Sequence, residues 1–394
     1  MKYINTTYIF IPLLLTVLLS TLNSCKKTYK PEKSFVKIYH DENGNKNDHP
    51  LSIHATKDNG FLILNAFNGW NIEILKTDQY GELAWKYELP EQYVNAVPHL
   101  ISKNDELYFV CMNAVGLFTY IMRVDENGKQ VTEFAQHQNI QYPTSVLKTG
   151  NAVYIQNYNR ISFETGIFEL NTEMDQIIKS GSVMVFADVE EKIVDHVHFT
   201  GKRFPFFIEK TDNHVIVNGF NNYSFSTVFM DNDLNYTGVY NGAAFEGGLN
   251  ALLPLSNTNF AIARFSFSNL YFNPRAKLTP TAIEIAESIP AVGMSTLAAE
   301  NPVLIKSINI KGEVYTTYLA TTKSNQLILQ LYQAGNEEPV AIKYMGESVP
   351  LKASDFLQTS DEGLMILAQV AVMGSFNRVA TIKLSAEELE ELIE

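Results

Sequence analysis

The chain has 394 residues, 46% of them apolar and 19% charged, a balance that argues against disorder and provides for one large domain or two ordinary ones. Its formal net charge of −13, with no basic stripe, disfavours a nucleic-acid partner, because phosphate binding needs clustered Lys and Arg. Only two cysteines occur, Cys25 and Cys111, which is too few for a disulfide framework.

The chain opens on a targeting pattern. Lys2 supplies a positive start, and Tyr8 to Leu22 is almost wholly apolar. That run spans about 15 residues, short of the roughly 20 that cross a bilayer, so it reads as a secretory signal peptide. Leu22-Asn23-Ser24-Cys25 then resembles the lipobox of bacterial lipoproteins, with Asn23 its least typical member. The resemblance implies cleavage after residue 24, acylation of Cys25 and membrane attachment through that lipid. Several acyl chains on one residue anchor stably, at about 0.8 kcal/mol per buried methylene. Residues 25–33 read as a polar tether. Lys26, directly after the cysteine, implies by the same resemblance the outer membrane, with the leaflet left open.

Downstream, an internal repeat sets the architecture. Ser34-Phe35-Val36-Lys37-Ile38-Tyr39 is an orphan strand. Ser52 to Asn65 alternates, turns at Asp58-Asn59-Gly60 and continues as an apolar run. Trp70 to Thr77 is another strand, Asp78-Gln79-Tyr80-Gly81 a turn, and Glu82 to Tyr87 a fourth strand. The first turn recurs at Asn104-Asp105, Thr149-Gly150, Thr211-Asp212-Asn213, Asn257-Thr258-Asn259, Lys323-Ser324-Asn325 and Asp361-Glu362-Gly363. The second recurs at Asp125 to Gly128, Asn171 to Glu173, Asp231 to Asp233 and Asn309 to Gly312. Such four-stranded units cannot bury both faces alone, and radial stacking hides them. The expected fold is therefore all-β, a β-propeller over residues 34–384. Seven blades are expected, with six or eight open because the copy at Gln326 to Met345 is weak. The last copy stops after its third strand near Leu384, so strand 34–39 is expected to close the ring. Residues 385–394 read as an acidic helix with a Ser385–Glu388 capping box.

The stretch KDNGFLILNAF…IEILKTDQYGELAWKYEL resembles propeller repeats of Bacteroidetes secreted proteins and lipoproteins. It implies the architecture and no particular activity.

Loops between second and third strands share one propeller face, and loops on rigid scaffolds concentrate binding residues. Read this way, the candidate ligand-binding aromatics are Phe67, Trp70, Tyr158, Phe163, Tyr223, Phe225, Tyr271, Phe272, Tyr332 and Phe376, with asparagines such as Asn68 and Asn157 interleaved. The competing reading packs the rings between blades and gives the asparagines to turns. The insertion Asn273 to Asn301 is read as a channel lid or an outer-blade segment, with a short helix from Thr279-Pro280.

Catalytic motifs are absent: no nucleophile elbow, zinc-protease helix, Walker loop or dinucleotide glycines. His196-x-His198 is expected on a strand without a third ligand, and Asp188, Glu190 and Glu191 in a solvated loop. Asp41 to Asp48 has its glycine too early for a calcium loop. Cys111, in an apolar strand, reads as a buried small hydrophobe. No cofactor and no metal are expected. The expected function is a lipid-anchored envelope binding or scaffold protein presenting a propeller face to a glycan, peptide or envelope protein. The alternative is a propeller enzyme acting on polysaccharide or peptide.

Overall fold

Strands with two apolar faces must be covered on both sides, and here neighbouring sheets do the covering. In the computed structural model, residues 33–40, 44–150, 152–198, 204–243, 246–372 and 376–394 are described. The expected signal peptide and Cys25 lie outside them. The strands of the described residues form seven sheets around an axis, one per blade, antiparallel throughout except for one added parallel strand in blade 4. Blade 1 runs Asp48–Ala55, Phe61–Phe67, Asn71–Thr77 and Leu83–Glu88 from the inner strand outward. The other inner strands are Ile101–Lys103, Pro143–Thr149, Phe207–Lys210, Gly247–Pro254, Leu304–Ile310 and Leu351–Gln358, in blades 2 to 7. Seven apolar clusters each sit between two adjacent blades, so each seam is a core of its own. The seam of blades 1 and 2 packs Leu62, Leu64 and Ile74 on Phe109, Cys111 and Met122. Cys111 is buried there, and burial pushes its thiol well above the usual range.

The ring closes as the orphan strand suggests. Phe35–Tyr39 pairs antiparallel with Asn377–Leu384, with Phe35 opposite Lys383 and Tyr39 opposite Val379. The Tyr39 hydroxyl donates to the Gly81 carbonyl at 3.0 Å and lies 2.9 Å from Thr381 Oγ1, tying blade 7 to blade 1. The C-terminal helix Ala386–Leu392 starts at the Ser385 cap, the Glu388 N–H donating to Ser385 Oγ at 3.2 Å, and buries Leu389; the other half of the expected capping box is replaced, since the Ser385 N–H donates to Ser34 Oγ at 3.1 Å.

The repeated first turn has a physical reason. In Thr56-Lys57-Asp58-Asn59-Gly60, Asp58 accepts from the Gly60 N–H, and Lys76 from the third strand reaches across to the same carboxylate at 2.8 Å. Blade 7 repeats this with Thr359, Asp361, Gly363 and Lys383, whose ammonium donates to Asp361 at 2.5 Å. Glycine is required because the lysine and a carbonyl fill the space: a Cβ on Gly60 would lie 2.1 Å from the Thr77 oxygen and 2.6 Å from Lys76 Nζ.

Several local expectations are corrected. In blade 6, Asn309 to Gly312 joins the inner and second strands, and Lys323 to Asn325 joins the second and third. Tyr332 to Glu338 therefore leads from the third strand to the outer one, on the opposite face from that expected. The long insertion does not separate the second and third strands of blade 5, which meet at Phe267-Ser268. It follows the third strand instead. Ile283–Ile285 pairs in parallel with the outer strand Tyr236–Asn241 of blade 4, and Val292–Met294 becomes the outer strand of blade 5. The expected helix there is this strand and a single 3-10 turn, Ala286–Ser288. It is an outer-blade segment rather than a lid. Finally, Glu190–Val197 is an α-helix, not a strand and loop. Its apolar residues Ile193 and Val197 recur four apart and pack onto the top of blades 3 and 4.

Candidate functional site

The inner strands start at the face that carries the turns between second and third strands, here called the upper face. A cavity of about 1290 Å³ opens there along the axis. Its rim comes from those turns (Asn68, Gly69, Phe267, Ser268, Asn377) and from linkers between blades (Phe204, Phe206, Glu300, Asn301). Its deeper wall comes from the inner strands, including Glu209, Lys306, Lys352 and Asp355.

Lys306 and Asp355 form the hub. Lys306 Nζ donates to Asp355 Oδ1 and to the Phe356 carbonyl, each at 2.6 Å. Asp355 also accepts from Ser52 Oγ at 3.0 Å and from the N–H groups of Ile53 at 3.0 Å and Phe356 at 2.8 Å. Burial pushes the Asp355 carboxyl upward, but the Lys306 charge and these donors outweigh it and hold it below the usual carboxylate range. Asp355 thus joins blades 1, 6 and 7 on the axis, and its acceptor capacity is used.

Glu209 and His99 differ. Neither makes a hydrogen bond among the described residues. Glu209 lies on the short inner strand Phe207–Lys210 of blade 4, is half-buried, and lines the cavity. Burial pushes its carboxyl up to about 8, against the opposing pull of Lys306, so it is protonated at neutral pH. His99 is placed by a broken strand. Tyr93–Val94 and Ile101–Lys103 both pair with Glu106–Asn113, and the residues between bulge toward the axis. His99 itself has φ +89°, in the left-handed region that side chains rarely occupy. Such strain clusters at functional sites. His99 is exposed along the cavity wall, and desolvation by the surrounding protein pushes its imidazole down. Lys306 acts on both groups, and on His54 below, so all three lie within electrostatic reach of one ammonium.

None of the sequence-selected aromatics lines the cavity. Phe67, Tyr158, Phe225, Phe272 and Tyr332 are buried between or above the blades. Tyr158 holds the upper helix, its hydroxyl accepting from the Val189 N–H at 3.2 Å, and Phe272 stacks on Tyr318 with centroids 4.6 Å apart. Tyr271 is half-buried under Arg264. Trp70, Phe163, Tyr223 and Phe376 are exposed on the upper face, where Trp70 meets His198 at 4.0 Å. His196 does not converge with His198: its Nδ1 accepts from the Phe204 N–H at 3.1 Å and its ring packs on Phe206. No three ligand-type side chains converge on a metal position among the described residues.

Many upper asparagines are staples. Asn95 donates to the Pro143 carbonyl at 2.9 Å, Asn218 to those of Pro205 and Leu249 at 2.7 and 2.9 Å, and Asn250 accepts from the Val303 N–H at 2.7 Å. Each links one blade or linker to the next. The rings that do line the mouth, Phe204, Phe206, Phe207, Phe265 and Phe267, come from linkers and strand ends. Their signal in the sequence was only the pair of Phe-Pro-Phe-Phe and Phe-Ser-Phe runs.

No family model matches the chain, and no curated protein matches it. Among solved structures, it is similar to Kuenenia stuttgartiensis hydrazine synthase (11% identity, TM-score 0.51, covering 84% of this chain and 94% of that one). It is also similar to the WD40 domain of Toxoplasma gondii coronin (9% identity, TM-score 0.51, covering 90% and 87%). The β-propeller domain of the Trilobed protease from Pyrococcus furiosus aligns over 93% of this chain and 99% of that one, at 10% identity and TM-score 0.42. At such identities the likeness speaks for fold alone, and the fold is a seven-bladed β-propeller.

Proposed function

We propose that this is a lipid-anchored binding protein of a bacterial outer membrane, taking a glycan, peptide or protein segment into its axial channel from the upper face. The observation that carries the reading is the cavity itself, wide at an aromatic rim and floored by two polar groups, Glu209 and His99, that have no partner among the described residues. Neither side chain is spent on a protein partner among the described residues, so both are available to a ligand that enters the cavity. Anchoring rests on the apolar leader and the Leu22-Asn23-Ser24-Cys25 sequence. The chain enters the propeller at Ser34, beside Ser385 and Glu388, at the lower end of blade 7.

The geometry supports binding over polysaccharide cleavage. Two free carboxyl groups flank the scissile bond in most glycosidases. Here Asp355 is consumed by its four donors, and Glu209 is the free acid of the floor.

Two measurements test the proposal. In cells, the full chain should incorporate labelled palmitate, and Cys25→Ser should not. The chain from Lys26 onward should capture a ligand from envelope extract or a glycan and peptide array, and Ser354→Trp, which fills the channel, should abolish capture. Equal capture by the filled channel would sink the channel reading.

A further inference from the structure

Resting on that channel reading, we propose that the ligand bears a carboxylate, its acid group seated against Lys306, His99 and Glu209 and its uncharged body against the mouth phenylalanines. The count of donors and acceptors at the floor gives the sign. Asp355, the ionised acceptor, is spent on protein donors. Lys306 uses two of the three N–H groups of its ammonium within the protein, leaving one. The imidazole of His99 and the protonated carboxyl of Glu209 each add a donor. Lys352, on the same wall, makes no ion pair among the described residues. The neutral imidazole of His99 and the carbonyl oxygen of a protonated Glu209 also accept, so it is the ammonium charges of Lys306 and Lys352 that favour an anion over a neutral sugar. A carboxylate needs donors only.

The charge also fits. Lys306 and Asp355 cancel and Lys352 adds one positive charge, matching a single carboxylate. A phosphate dianion would exceed it, and the rim acids Glu246 and Glu300 oppose further negative charge. Above the floor the wall is predominantly apolar, with Phe204, Phe207 and Phe265 facing the space an uncharged body would fill.

The arrangement links binding to a proton. The neighbouring inner strands of blades 3 and 5 bring no titratable group to the cavity beside Glu209. Across the channel stand Lys306, Lys352 and Asp355, with His49 and His99 from blades 1 and 2, and above stand His196, His198, Glu246 and Glu300. Of these, Lys306 is the charge that opposes the upward push of burial on Glu209. When Glu209 loses its proton near pH 8 the floor gains a negative charge and a donor becomes an acceptor. Affinity for an anion then falls as pH rises.

The test is calorimetric titration of the chain from Lys26 onward with octanoate and octanol, and with digalacturonate and digalactose. One acid should bind at pH 7 at least tenfold more tightly than its neutral counterpart, and which acid does so identifies an alkyl or a sugar source. Its Kd should rise about tenfold between pH 7 and pH 9. Glu209→Gln, close in shape and unable to ionise, should bind with no such rise. Equal binding of acids and neutral counterparts would overturn the carboxylate assignment while leaving the channel reading in place. Binding of neither acid, or a pH-independent Kd in the unaltered protein, would also overturn it; the channel reading is then judged by Ser354→Trp capture.

Discussion

Lys383 shows how far single residues carry this fold. Its side chain and that of Asp361 are 0% and 1% exposed, and the pair lies 2.5 Å apart. Lys383→Met leaves the carboxylate uncompensated, which costs about 3 kcal/mol, the low end for a buried pair because the turn is near the surface. Urea unfolding at pH 7 should show this loss. Burial pushes Asp361 up, but Lys383 more than reverses it and holds the carboxyl below its usual range. The pair therefore stabilises above the unfolded value of about 3.9 and fades as pH falls through the folded one, so variant and parent should converge in acid. Glu209 has the opposite sign. Its folded value of about 8 lies above the unfolded one, so its favourable contribution is whole below about pH 4.3 and lost as pH rises toward 8. Melting curves of Glu209→Gln should run with the parent in acid and above it at pH 8 to 9. An offset that does not change with pH would contradict the burial of that carboxyl.

Within elements, the repeated turn and the closing strand make the sharpest predictions. Gly60→Ala places a methyl 2.1 Å from a carbonyl and should destabilise by about 1–3 kcal/mol in chemical denaturation. A chain beginning after Tyr39 leaves the whole edge of Asn377–Leu384 unpaired, and unpaired edges recruit other chains. Size-exclusion chromatography should show it oligomeric where the longer chain is not. These elements were legible because their causes are local. Asp-x-Gly turns, the Ser385 cap and a strand left over at residues 34–39 each announce themselves within a few residues. Blade 6 was misplaced by one strand because Asn309 to Gly312 and Lys323 to Asn325 are both polar turns, and turn composition does not record which face a turn occupies. His196 and His198 were assigned to a strand because Val-Asp-His-Val-His alternates. The helix wins because Ile193 and Val197 bury against blades 3 and 4. The site was the least legible part. Glu209, His99, Lys306 and Asp355 come from four blades, and only the radius of the ring brings them together. The rings selected on the second-to-third-strand loops divide: Phe67, Tyr158, Phe225, Phe272 and Tyr332 pack inward, while Trp70, Phe163, Tyr223 and Phe376 stay exposed on the upper face away from the cavity lining.

Among the described residues, stability is spread over seven seams with no disulfide to concentrate it. Cys111 reports on this directly. Lying in the seam of blades 1 and 2 with its thiol pushed well up, it should resist alkylation in the folded protein and react on global unfolding. Labelling that precedes loss of far-ultraviolet dichroism would show that this seam opens by itself. The closing strand has a further consequence in time. Tyr39 meets Thr381 across 342 residues of sequence, and the length-dependent entropy of joining such distant points is about 5 kcal/mol. Nothing offsets that term until residue 383 exists, so a growing polypeptide offers blade 7 no partner for its first strand. The chain up to residue 383 must therefore exist before the circle can be completed, and until then the strand Phe35–Tyr39 has no partner.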